Sequence, residues 1–145
     1  MSVGRICIRG VDIASPGESV QMVARRMRDR NVGSLVVCNE SMHPVGMVTD
    51  RDLALRVVAE GHNPGSTSVA DVMTRDPQCV REDTPIEMAL TAMRTGPCRR
   101  LPVVSDERAL VGVISLDDVL GLLTEEFNTI GTLLQRENPR SLAEI

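Results

Sequence analysis

Lysine is absent from the 145-residue chain: all 16 basic residues are arginine. That excludes a Schiff-base lysine, a pyridoxal phosphate anchor and a Walker A lysine, while arginine still supplies planar forks suited to phosphate. Tryptophan and tyrosine are missing too, and Phe127 is the single aromatic residue. No base-stacking platform exists, and 20 acidic residues bring the net charge to −4, so there is no basic excess to hold DNA or RNA. The cysteines at 7, 38, 79 and 98 form no CxxC pair, which argues against a zinc site or thioredoxin-like motif and for reduced, packed thiols. No apolar run approaches the roughly 18 residues that span a bilayer, and nothing after Met1 resembles a secretory signal. The expectation is a soluble, cytoplasmic chain that partners neither membrane nor nucleic acid.

What the chain does contain is a second copy of itself. Gly46-Met47-Val48-Thr49-Asp50-Arg51-Asp52 returns 66 residues later as Gly112-Val113-Ile114-Ser115-Leu116-Asp117-Asp118. The same offset sets Leu35 on Leu101, Val37 on Val103, Met22 on Met88, Met27 on Met93 and Arg9 on Arg75. One register held over this distance marks a tandem repeat.

Both copies read alike. Val20, Val23, Ala24 and Met27 fall at helical spacing, as do Ile86, Ala89, Leu90 and Met93 behind a Thr84-Pro85-Ile86-Glu87 capping box. Two short apolar runs then follow a polar loop apart, 34–38 with 45–48 and 101–104 with 110–114, and predict hairpins. A second helix starts after Thr49 and after Ser115, and Gly61 ends it in the first copy. Residues 12–14 and 78–80 supply a brief leading strand, and Ser68 to Met73 a short capped helix. The predicted fold class is mixed α+β: two β-α-β-β-α units, packed face to face with pseudo-two-fold symmetry because neither buries its sheet alone. The boundaries are 6–61 for the first unit, 62–67 for a Pro/Gly linker, 68–123 for the second unit and 124–145 for a C-terminal helix and tail, with 138–145 expected to fray.

The two Gly-h-x-Thr/Ser-x-x-Asp motifs, the Asp71-Val72-Met73-Thr74 lead-in and Arg100-Leu101-Pro102-Val103-Val104 resemble the cystathionine-β-synthase (CBS) domain, which occurs as a tandem pair called a Bateman module. The likeness covers roughly residues 6 to 123 and looks like free-standing bacterial CBS-pair proteins. The first copy departs from it: Ile6-Cys7-Ile8-Arg9 lacks the Asp-h-Met-Thr lead-in, and Asn31-Val32-Gly33-Ser34 stands where the second copy has Pro97-Cys98-Arg99-Arg100. The two clefts are therefore expected to differ chemically.

The resemblance implies a non-enzymatic regulatory module binding AMP, ATP, NAD or S-adenosylmethionine between the paired units. The adenine nucleotide would be a regulatory ligand and not a catalytic cofactor. Thr49 and Ser115 would sit where strand becomes helix, beside N–H groups that favour a phosphate. Asp52 and Asp118 would accept the ribose hydroxyls. Val48 and Ile114 would border the adenine, and the backbone of Val32, Gly33 and Ser34 would read its edge. Arg99 and Arg100 would reach the phosphates, with Arg51 a weaker candidate. The resemblance also implies a homodimer, with Leu53, Val57, Leu120 and Leu123 among the apolar positions, and an effector protein that reads the module.

A plainer reading stands beside each of these. Thr49-x-x-Asp52 and Ser115-x-x-Asp118 fit ordinary helix caps, and Arg99 and Arg100 fit a solvated pair. His43 and His62 read as surface residues, and no histidine neighbours Ser115 to activate it. Phe127, Ile130 and Leu134 share a helical face that packs on its own module or on a partner. The alternative function is a dimerisation or scaffold module with a vestigial cleft.

Overall fold

The computed structural model of the chain describes residues 1–96 and 99–137. Pro97, Cys98 and the tail expected to fray lie outside the described residues.

Two four-stranded sheets form the frame. The first runs β2(Ile13–Ala14)-β3(Ser34–Cys38)-β4(Pro44–Thr49)-β5(Thr74–Arg75), and the second β1(Ile8–Arg9)-β8(Leu110–Ser115)-β7(Arg100–Val104)-β6(Val80–Arg81). Both expected hairpins are present: β3 pairs antiparallel with β4, and β7 with β8.

Each sheet takes its outer strand from the other copy. Ile8 of β1 pairs with Val113, and Thr74 of β5 pairs with Met47, the same register at an offset of 66. The unit is thus longer by one strand than the β-α-β-β-α expected, and the leading strand of the second copy lies at Val80–Arg81 instead of 78–80. Two-residue strands carry no periodicity, so apolar patterning does not reveal them. The crossing explains the glycines of the two motifs. A Cβ on Gly112 would collide with the carbonyl of Ile8, and one on Gly46 would meet the Met73 side chain and lie 3.0 Å from the Thr74 carbonyl. The approach that glycine permits is to a neighbouring backbone.

Helices α1(Val20–Arg30), α2(Asp50–Leu53), α3(Val69–Val72), α4(Ile86–Thr95) and α5(Leu116–Glu137) cover the outer sheet faces. Leu35, Val37 and Val48 pack under α1 with Val20, Val23 and Met27, and Leu101, Val103 and Ile114 pack under α4 with Ile86, Ala89 and Met93. Ala24 is exposed, although its spacing suggested otherwise. Val69 joins the first core while Val3, its equivalent, joins the second, so the swap of outer strands carries apolar anchors with it. Between the sheets lies a third cluster, Val36, Cys38 and Met47 packed with Ile13, Leu110 and Val113. Strands buried on both faces read as continuous apolar runs. Burial pushes the Cys38 thiol up to about 11, in keeping with a packed, neutral side chain.

Three local expectations change. The Thr84 hydroxyl accepts from the Arg81 N–H, Pro85 occupies the cap position itself, and the Ile86 N–H reaches the Met1 carbonyl, so no capping box opens α4. After Leu53 the helix widens into a π segment, Ala54–Val58, which turns Val57 inward and leaves Leu55 and Val58 exposed. Leu53 and Val57 therefore pack in the first core. Finally, no break separates the second unit from a C-terminal helix at 123, because α5 runs unbroken from Leu116 to Glu137.

Candidate functional site

Two clefts open between the copies. The first, about 800 Å³, holds Thr49, Asp50, Arg51, Asp52 and Arg56 on one side and Thr74, Arg99 and Arg100 on the other, with Gly33, Ser34 and Met47 between. The second, about 360 Å³, holds Ser115, Asp118, Val113 and Arg100 opposite Ile8, Asp12, Val32, Val36 and Met47, with Ser34 again in the wall. Each motif's hydroxyl and carboxylate thus face residues of the other copy.

In both clefts these groups cap their own helix. Thr49 Oγ1 accepts from the Asp52 N–H at 3.1 Å, and Asp52 Oδ2 accepts from the Thr49 N–H at 2.9 Å. Asp118 Oδ2 accepts from both the Ser115 N–H at 2.8 Å and the Ser115 hydroxyl at 2.9 Å. The plainer reading of the motif is therefore satisfied locally. It leaves the second carboxylate oxygen of each residue facing outward: Asp52 Oδ1 lies 3.8 Å from Arg56 Nε, and Asp118 Oδ1 has no hydrogen bond among the described residues.

The expected N–H anion site is not open. Asp50 N–H donates to the Gly33 carbonyl at 2.9 Å, and Leu116 N–H donates to the Arg99 carbonyl at 3.1 Å, again equivalents at 66. Arg51 N–H donates to Asp50 Oδ1 at 2.8 Å. The first-turn donors of α2 are thus engaged within the chain. The Gly33 carbonyl accepts the Asp50 N–H, while Gly33 itself lines the first cleft.

The side chains of Val48 and Ile114 face the cores and not the clefts. Both are 0% exposed and sit in the two helix-facing cores. Side chains alternate along a strand, so the residues sharing a face with Thr49 and Ser115 are Met47 and Val113, and these line the clefts. Val32 and Ser34 lie in the second cleft, Gly33, Ser34, Arg51 and Arg99 in the first, and Arg100 in both. Spacing gave no signal for Arg56, which is held by the Val72 carbonyl at 2.9 Å, or for Asp12, whose carboxylate meets Arg30 at 3.4 Å. His43 lines a separate cavity with Cys79, Arg81 and Arg108. No helix among the described residues is long and apolar enough to cross a membrane.

The CBS domain family model matches residues 3–59 and 69–125. An uncharacterised protein of Methanopyrus kandleri is 37% identical over 120 residues, which are 83% of this chain and 61% of that protein. The CBS domain-containing protein YhcV of Bacillus subtilis is 37% identical over 109 residues, 75% of this chain and 76% of its own length. Among solved structures, CBSX2 of Arabidopsis thaliana in complex with AMP superposes with a TM-score of 0.73 at 25% identity, covering 86% of this chain and 96% of that one.

Proposed function

The chain belongs to the CBS domain family, and from that premise we propose that it is a non-enzymatic cytoplasmic sensor, binding an adenosine-containing ligand in the clefts between its two copies. The observation that carries this reading is the placement of a hydroxyl–carboxylate pair in each cleft with one carboxylate oxygen left over, at Asp52 and at Asp118. A ribose is the ligand group such an oxygen suits, since it accepts a hydroxyl in a charge-assisted bond. The arginines of the first cleft suit phosphate, and Met47 and Val113 offer apolar surface to a purine. AMP in the related CBSX2 supports the ligand class.

Occupancy would change the packing of Ser34, Met47 and Arg100, which both clefts share, and so shift how the two copies sit on each other. An effector protein, or a second module in a homodimer, would read that shift.

The chain's composition makes the test simple. Lacking tryptophan and tyrosine, the protein is nearly transparent at 280 nm, so a bound adenine dominates its ultraviolet spectrum. A 260 nm band is expected after soaking with AMP or ATP and desalting. Titration calorimetry with AMP, ATP, NAD and S-adenosylmethionine decides the matter. No heat and no thermal stabilisation from any of the four at millimolar concentration would leave the scaffold with a vestigial cleft as the function.

A further inference from the structure

We propose that the two clefts divide their ligands by charge: the Thr49/Asp52 cleft takes a phosphorylated adenosine ligand, and the Ser115/Asp118 cleft a phosphate-free one. This rests on the adenosine reading above and assigns a ligand class to each site.

The repeat itself supplies the comparison. Four arginines line the first cleft, at 51, 56, 99 and 100. At an offset of 66 their counterparts are Asp117, Leu122, Gly33 and Ser34, so every basic position is lost and one is reversed in sign. Among the described residues the first cleft sets these four arginines against Asp50 and Asp52. The second sets Arg100 alone against Asp12 and Asp118.

The pairing of these groups sharpens the difference. Arg51 and Arg99 have no salt bridge among the described residues, so both are available to a phosphate. Arg56 donates to the Val72 carbonyl and stands 3.8 Å from Asp52, half exposed, adding positive charge to the cleft wall. In the second cleft Arg100 already donates to Ser34 Oγ at 2.9 Å. Asp12 is met by Arg30, but the Asp118 carboxylate makes no salt bridge among the described residues, and Arg100 is the one arginine lining the cleft beside it. A dianionic phosphate entering this cleft meets a carboxylate without a salt-bridge partner and an arginine already bonded to Ser34, which is unfavourable in a partly enclosed site. Ile8, Val32, Val36, Met47 and Val113 make the remainder of the wall apolar, a surface for an uncharged nucleoside. Its smaller volume, about 360 Å³ against about 800 Å³, points the same way.

Calorimetry of the full chain with AMP and with adenosine tests this, using the Arg51→Ala/Arg99→Ala double variant and Asp118→Asn, which keeps an acceptor for the α5 cap. AMP is expected to saturate one tight site per chain, weakened at least tenfold by the double arginine variant and less than twofold by Asp118→Asn. Adenosine is expected to show the converse dependence. Two AMP sites of equal affinity, or AMP binding lost with Asp118→Asn and kept by the double variant, would overturn the division of labour while leaving the adenosine reading intact. Absence of binding by both ligands would overturn that reading as well.

Discussion

Arg100 donates from Nη1 to Ser34 Oγ at 2.9 Å, and the two residues are the same position of the repeat, 66 residues apart. The contact therefore lies at the centre of the pseudo-symmetric pair, where each copy presents its β-hairpin edge to the other. One copy offers a guanidinium and the other a hydroxyl, so a symmetric fold carries an asymmetric hydrogen bond. Both residues line both clefts, which makes this bond a direct physical link between the two sites.

Arg100→Ala should separate binding from folding. The side chain is exposed, so its loss is expected to change unfolding free energy by only about 0.5 kcal/mol. Removing the positive charge that Arg100 adds to the first cleft beside Arg51 and Arg99 is expected to weaken AMP binding about tenfold. Urea unfolding and calorimetry on the same variant check both numbers; an equal loss in each would mark Arg100 as structural.

The motif glycines should differ in their tolerance of alanine. At Gly112 the added Cβ meets the Ile8 backbone, which has nowhere to go without breaking the β1–β8 pairing. At Gly46 its nearest neighbour is the flexible Met73 side chain, with the Thr74 carbonyl behind it at 3.0 Å. Overpacking at the first site is expected to cost about 3 kcal/mol and at the second about 1–2 kcal/mol. Denaturant midpoints would expose a reversed order directly.

These glycines also show how far the chain could be read without coordinates. The repeat, both hairpins and the Thr/Ser–Asp pairs were legible because they rest on four- to five-residue apolar runs and on identity at a fixed offset. The outer strands were not, since Ile8–Arg9 and Thr74–Arg75 are too short to show a period. The faces of β4 and β8 were legible in principle. Simple alternation from Thr49 and Ser115 selects Met47 and Val113, whereas the family resemblance points to Val48 and Ile114. The inward turn of Val57 was hidden, because a π segment shifts the helical period by one residue and leaves no compositional mark. The engagement of the helix N–H groups by Gly33 and Arg99 is a tertiary contact and has no local signal.

A partly buried ion pair unique to the first copy gives a pH dependence. Arg26 clasps Glu18 through two hydrogen bonds, at 2.6 and 3.0 Å, and also donates to the Ile13 carbonyl at 2.8 Å. The guanidinium holds the Glu18 carboxyl below its ordinary range. A carboxyl depressed in the folded state contributes stability that is present above its unfolded pKa, near 4.3, and is lost as pH falls through the lower folded value. Glu18→Gln is therefore expected to lower stability by roughly 1–2 kcal/mol at pH 7 and to flatten the decline below pH 4. At position 66 further on the pair is Thr84 and Ala92, so no matching effect is expected from Thr84→Ala. An unchanged acid limb in Glu18→Gln would assign that limb to other carboxylates.

The last expectation concerns assembly. Along α5, Leu116, Leu120, Leu123, Phe127, Ile130 and Leu134 alternate spacings of four and three, the seam of a helix that packs on another helix. Leu116 is partly covered, but Leu120, Leu123, Phe127, Ile130 and Leu134 are each between 46% and 69% exposed, and Leu55 and Val58 are exposed as well. Family-matched sequence ends at 125, so the stripe continues without change of register from the module into the outer turns of α5. Five half-exposed large side chains leave on the order of 400–500 Å² of apolar surface, at the upper end of what a monomer shows. A second copy would present the same stripe and would cover it in a two-fold arrangement. Sedimentation at micromolar concentration is expected to give a dimer whose thermal midpoint rises with protein concentration. Phe127→Glu with Ile130→Glu is expected to yield a folded monomer with the far-ultraviolet spectrum retained. A wild-type chain that sediments as a monomer across that range would remove the self-association reading, whatever the clefts bind.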